Sequence, residues 1–115
     1  MISVIVPCFN EEETIHYFYQ AMEKVRIKMN EEFEYIFVND GSKDSTLSIL
    51  RSLSVQDRSV SYLSFSRNFG KEAALFAGLE AANGHLVTVM DADLQDQPEI
   101  LMEMNQMLDE NSDMD

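Results

Sequence analysis

Short apolar runs and helix-length amphipathic runs take strict turns along this sequence, and that alternation restricts the fold more than any other feature. "ISVIVP" is a β-branched run closed by Pro7 and reads as a first strand. The stretch "NEEETIHYFYQAMEKVRIKM" follows, with Ile15, Phe18, Tyr19, Met22, Val25 and Met29 at helical spacing. Asn10, with Glu13 three residues on, predicts a capping-box start. "YIFV" (35–38) is a second buried strand, followed by the turn chemistry of "NDGSKDST" and a helix carrying Leu47, Ile49, Leu50 and Leu53 inward. "VSYLSF" (60–65) is a third strand; "SRNFG" breaks it before an Ala-rich helix over 71–82, with Gly84 in its C-cap region. "HLVTVM" (85–90) is a fourth strand, and Pro98 suits the first turn of a last helix over 98–108. The order βαβαβαβα predicts an α/β fold with a parallel sheet, right-handed crossovers and strands covered on both faces.

The polar clusters all fall on one side of this frame. "PCFNEE", "NDGS", "SRNFGK" and "DADLQD" each begin just past the carboxyl end of a strand. Open α/β sheets bind ligands there, where the strand order reverses. With the order 3-2-1-4 the reversal lies between the first and fourth strands. The Asn10–Glu11 loop and the Asp91–Asp93 loop are then neighbours.

Charge and cysteine content narrow the functions. Eight Lys and Arg against 21 Asp and Glu give a net charge of −13. Phosphate backbones are gripped by clustered cations, so nucleic acid is not expected as a partner. Nine of the acids lie in 91–115, which holds no Lys or Arg; such runs are commonly just solvated surface. Cys8 is the one cysteine, so no internal disulfide forms, and a lone thiol fits a reducing, cytoplasmic compartment. A catalytic cysteine would want a histidine base, yet His16 falls in a helical pattern and His85 follows a Gly turn. No apolar run approaches the ~20 residues of a membrane span.

Three groups of residues carry the chemistry. Asp91 and Asp93 stand two apart, so on an extended segment they point to one side. Such a pair holds a hard cation, Mg²⁺ or Mn²⁺, with Gln95 as a third oxygen donor; the plain alternative is an acidic turn. Asp96 sits two residues before Pro98, where a negative charge favours a helix start. Asp40 ends the second strand and can accept from a ribose hydroxyl or a base N–H, unless it only makes an Asx-turn; Gly41 permits the turn and Ser42 caps the next helix. Arg67 and Lys71 bring cations to a helix start, where anions are favoured, unless they merely pair with surface acids such as Glu72. Neither G-x-x-x-x-G-K-[ST] nor G-x-G-x-x-G follows the first strand, which counts against a P-loop NTPase and a standard NAD-binding domain.

Together "VIVPCFNEEETI", "VNDGSKDST", "SRNFGKEAALFAGLEAANG" and "VMDADLQDQPE" resemble the inverting family 2 glycosyltransferases. The similarity is greatest to the polyprenol-phosphate branch, the dolichol-phosphate and undecaprenyl-phosphate sugar transferases. The resemblance implies a Rossmann-like, three-layer α/β/α GT-A fold. It makes residues 1–115 the N-terminal, nucleotide-sugar-binding part of such a domain, ending before the acceptor-binding part. It places Pro7, Phe9, Asn10 and Glu11 in the nucleotide pocket, and Asp40 on the base or ribose. Arg67 and Lys71 would line the donor site. Asp91, Ala92, Asp93 and Gln95 would meet the metal and diphosphate, with Asp91 and Asp93 as the catalytic pair. The implied donor is a UDP- or GDP-sugar. The implied acceptor is a polyprenyl phosphate, or a glycan hydroxyl in cell-wall or polysaccharide synthesis. The longer protein would then sit at the cytoplasmic face of a membrane, attached through parts outside this sequence. Two other readings remain. One is a nucleotide-sugar-binding module without turnover. The other is a phospho-acceptor receiver domain, disfavoured because its acids would follow strands one and three, not two and four.

Overall fold

A computed structural model describes residues 1–93. Gln95, Asp96 and the helix expected over 98–108 lie outside them. Seven elements follow in order: β1 Ile2–Cys8, α1 Ile15–Met29, β2 Phe33–Asn39, α2 Thr46–Gln56, β3 Val60–Ser64, α3 Lys71–Ala81 and β4 Leu86–Val89. The four strands form one parallel sheet, as the alternation predicts, in the order β3-β2-β1-β4 expected of the fold.

The pleat sorts the strand residues onto two faces. Ile2, Val4, Val6 and Cys8 of β1 and Phe33, Tyr35 and Phe37 of β2 meet Ile15, Phe18, Met22 and Val25 of α1 and Leu50 and Leu53 of α2. Phe18 packs edge-on against Phe37 at 6.1 Å between ring centroids. Fully burying each such side chain contributes about 1.5–3 kcal/mol. On the other face Ile36 and Val38 pack against Ala74 of α3. This makes three layers. Coverage on both faces holds for β1 and β2. Among the described residues, however, β4 leaves Val87 and Val89 more than a third exposed, because α3 lies over β1 and β2. Leu47 and Ile49, expected inward, are only half-buried; the inward face of α2 is Thr46, Leu50 and Leu53.

Three local expectations give way to tertiary contacts. β1 does not close at Pro7 but runs through it to Cys8. In β1 the even residues direct their backbone groups to β2, as Ile2 N to Glu32 O and Asp40 N to Cys8 O show, while Ile5 O faces β4 and accepts from Met90 N. Pro7 therefore points its donor-less nitrogen towards β4, whose pairing ends at Ile5↔Val89. The β1–β2 ladder loses nothing, so proline is tolerated in a central strand. The capping box at Asn10 does not form either. α1 begins at Ile15 behind Thr14, and Asn10 has φ 55° with its side chain engaged on a neighbouring loop. Likewise Ser42 does not cap α2, which starts behind Ser45; the Ser42 hydroxyl accepts from Asn10 N instead. A helix end the sequence analysis did not single out is Asn30, a left-handed C-cap whose N–H donates to Arg26 O and Ile27 O.

Gly78 brings α3 close to the sheet: a Cβ there would lie 2.4 Å from Ile5 Cγ2. Gly78→Ala gains about 1 kcal/mol of helix propensity, but overpacking costs about 1–3 kcal/mol. We expect it to lower the urea midpoint, and a double-mutant cycle with Ile5→Ala to show the two changes strongly coupled. Additive effects would mean that α3 simply rides outward.

Candidate active site

The loops after β1 and β2 are stitched into one unit. Asn10 N donates to Ser42 Oγ and Asn10 Oδ1 accepts from Lys43 N, both at 2.9 Å. Glu11 N donates to Thr46 Oγ1, Glu12 N to Asp44 Oδ2, and Ser45 N to Glu12 Oε2. Asn39 closes the turn after β2 by accepting from Ser42 N, and its amide donates to Ser64 Oγ. The left-handed φ of Asn10 is thus held by partners on another loop.

The loop after β3 is moulded onto Asp40. This side chain is 5 % exposed. Its Oδ1 accepts from Phe69 N at 2.7 Å and its Oδ2 from Gly70 N at 3.0 Å, while its carbonyl accepts from Asn68 Nδ2. Gly41, at φ +72°, is the one residue type that fits beneath: a Cβ would lie 2.3 Å from Arg67 C and Asn68 N. Asp40 therefore fixes the backbone from which α3 starts. A carboxylate has further lone pairs, so this clamp leaves room for a ligand donor as well.

Between these loops and β4 lies a cleft of about 170 Å³, lined by Pro7, Cys8, Phe9, Glu11, Asp40, Lys71 and Asp91. Six of the seven are residues that the sequence singles out; Cys8 is the addition. Its thiol donates to Val6 O, and burial, then the charges of Glu11 and Asp44, push its pKa well up, so it stays protonated. Asn10 serves the loop junction. Arg67 is exposed and stacks 4.7 Å over the Phe69 ring, which in turn meets Phe65 edge-on. Ala92 buries its methyl in the core, leaving only its backbone for a ligand. Asp93 is exposed beside Asp91.

The cleft is electrostatically negative. Burial raises the Glu11 carboxyl above the usual range; a hydrogen bond from Thr14 opposes this, and the charges of Asp93, Asp91 and Asp44 reinforce it. The β1–α1 and β4 loops are therefore neighbours, as the strand order requires. Lys71 Nζ lies 3.4 Å from Asp91 Oδ1. An all-oxygen pair, Asp91 and Asp93, on a chain position beside further carboxylates suits a hard divalent cation. Among the described residues no group of three or more His, Cys, Asp or Glu can hold a metal ion. Further oxygens would have to come from a phosphate or from beyond residue 93, a common arrangement for Mg²⁺.

A larger cleft, about 590 Å³, opens at the amino end of the sheet. Three of its four acids are matched within the protein: Glu23 with Arg26 and Tyr35, Asp57 with Tyr19 and Ser59, Glu34 with Ser3 and Asn83. At the carboxyl end the side chains that the sequence singles out line one cleft, which makes it the candidate site.

The sequence model of glycosyl transferase family 2 matches residues 3–114. The chain belongs to this family. A bactoprenol glucosyl transferase of Shigella phage SfV is 48 % identical over 113 residues, 98 % of this chain and 37 % of that protein. An uncharacterized glycosyltransferase of Bacillus subtilis (strain 168), YkcC, is 48 % identical over 102 residues, 89 % of this chain and 32 % of that protein. This family 2 chain thus spans about a third of the length of the curated relatives it matches. S. aureus TarS in complex with UDP-GlcNAc superposes with a TM-score of 0.76 at 27 % identity, over 96 % of this chain and 32 % of that one. The mannosyltransferase PcManGT from Pyrobaculum calidifontis, in complex with GDP-Man and Mn²⁺, gives 0.70 at 26 % identity, over 80 % and 27 %. The fold is that of the GT-A glycosyltransferases.

Two outcomes test this geometry. Asp40→Asn can accept only one of the two loop N–H groups, and losing a charged hydrogen bond costs about 2 kcal/mol. We expect a lower urea midpoint and faster hydrogen exchange at Phe69 and Gly70; unchanged exchange there would refute the clamp. Glu11 should titrate above an ordinary glutamate in carboxyl ¹³C NMR, and Asp93→Asn should bring it down. Because its folded-state pKa is raised, the stability Glu11 contributes is complete below its unfolded pKa. It is lost as pH rises through the folded value, and Asp93→Asn should narrow that window.

Proposed function

We propose that this chain is the donor-binding part of an inverting transferase that moves a glycosyl group from a nucleotide-diphospho-sugar to a polyprenyl phosphate. The observation that carries the reading is the meeting of Phe9, Glu11, Asp40, Lys71 and Asp91 in one cleft, where β1 and β4 part. The similarity to a bactoprenol glucosyl transferase favours a lipid-phosphate acceptor, bactoprenol being a polyprenol. The UDP-GlcNAc and GDP-Man complexes of similar folds favour a UDP- or GDP-sugar donor.

On this reading Asp40 accepts from the base or ribose while holding the 67–70 loop, and Phe9 flanks the nucleotide. Asp91 and Asp93, with Gln95, hold a divalent cation, Mg²⁺ or Mn²⁺. When bound, such an ion supplies neutralisation of the charge growing on the departing diphosphate. Lys71 adds a second positive charge from the α3 side. The acceptor phosphate, with its second pKa about 6, is already anionic near neutral pH and attacks without a strong general base. A sugar hydroxyl would instead need a carboxylate base. Among the described residues no helix is long and apolar enough to cross a membrane.

Calorimetry with UDP and with GDP, each with and without Mn²⁺, tests the donor site. We expect one nucleotide to bind in a Mn²⁺-dependent way and Asp93→Ala to weaken it about tenfold or more, the effect of losing one charged ligand. Binding indifferent to both the ion and the substitution would sink the metal-bridged site. Transfer of sugar to a polyprenyl phosphate by the longer protein would distinguish an enzyme from a binding module.

A further inference from the structure

We propose that Lys71 is an exchangeable counter-cation: its ammonium neutralises Asp91 until a divalent ion takes that carboxylate, and then moves to the donor diphosphate. The inference rests on the metal-bridged donor reading above and deepens it. Four observations support it.

The Lys71–Asp91 pair is direct but loose, at 3.4 Å with side chains 63 % and 33 % exposed. Exposed pairs of this kind are weak, so a divalent ion can displace the ammonium at little cost. Lys71 also stands where a lysine is locally disfavoured. It is the first residue of α3, at the positive end of the helix dipole, where an acid such as Glu72 is the favoured type. The acids across the cleft, not the helix, account for a cation at this position.

The stem of Lys71 is rooted while its head is not. Asp40 holds the N–H groups of the two preceding residues, Phe69 and Gly70. From that fixed Cα a flexible four-carbon stem carries a compact charge that can swing within the cleft it lines. Finally, the demand for positive charge changes with occupancy. Glu11, Asp40 and Asp91 line the same cleft as Lys71, three carboxylates to one ammonium. A divalent ion at Asp91 satisfies that demand and leaves Lys71 in surplus, whereas a diphosphate arriving with the ion restores the need for it.

This predicts effects of opposite sign from one substitution. Lys71→Met removes the competitor, so Mn²⁺ alone should bind more tightly, by up to about fivefold, the ceiling set by an exposed ion pair. The same variant should bind UDP or GDP in the presence of Mn²⁺ about tenfold more weakly, having lost one charged contact to the diphosphate. Lys71→Arg keeps the charge and should return both values towards wild type. Mn²⁺ binding is read from the loss of the free-ion EPR signal, with and without nucleotide, and thermal unfolding checks that each exposed-site variant is folded. A purely structural lysine would move both affinities the same way. Shifts of the same sign, or none, would overturn the exchange while leaving Mn²⁺-dependent nucleotide binding by the wild type intact. If the wild type binds neither Mn²⁺ alone nor nucleotide with Mn²⁺, the exchange falls together with the metal-bridged reading; Mn²⁺ that binds only with nucleotide removes the exchange alone.

Discussion

The position of β1 is the constraint from which the rest follows. It pairs with β2 along its whole length, with β4 along its first half, and is buried on both faces. A strand so enclosed must be apolar throughout, which is why Ile2, Val4, Ile5 and Val6 leave no room for alternation except at Ser3. Ser3 is allowed because its hydroxyl is used three times over, donating to Glu34 and accepting from Asn83 N and Gly84 N. Everything polar is thereby forced to the strand ends. At the amino end most of the acids find partners within the protein. At the carboxyl end they face a cleft.

That carboxyl end is organised by backbone bonds rather than by charge pairing. The side chains of Asn10, Asp40 and Asp44 all accept main-chain N–H groups from loops distant in sequence. Because such bonds hold the loops, Glu11 and Asp91 meet on a rigid frame, with Lys71 paired to Asp91. Acids held in this way can be kept ready for a cation. Cys8 illustrates the same economy: it fills space in the cleft wall but is chemically silenced by burial and by its acidic neighbours.

Much of this was legible in the sequence, for a reason visible in particular residues. Apolar runs such as "YIFV" and the stripe Ile15, Phe18, Met22, Val25 are read by their periods, and periodicity reports burial. The strand order came with the family resemblance, and the structure has the same order. What escaped was every role set by a contact across loops. Asn10 and Glu13 carry the spacing of a capping box, yet Asn10 is drawn to Lys43 N, 33 residues away. Asp40 was recognisable as an acid at a strand end. Nothing in "VNDGS" announces that N–H groups 29 and 30 residues further on will claim both of its oxygens. Nor does the spacing of Arg67 and Phe69 announce that the guanidinium will lie over the ring.

Pro7 gives the cleft its permanence. The next rung of the β1–β4 ladder would require a donor from residue 7, and proline has none. That rung is therefore short of one hydrogen bond, and the pairing ends at Ile5↔Val89. The sheet is left with a fork whose prongs are Phe9–Glu11 on one side and Asp91–Asp93 on the other. A single ring closure in one side chain keeps the sheet from healing over its own binding site.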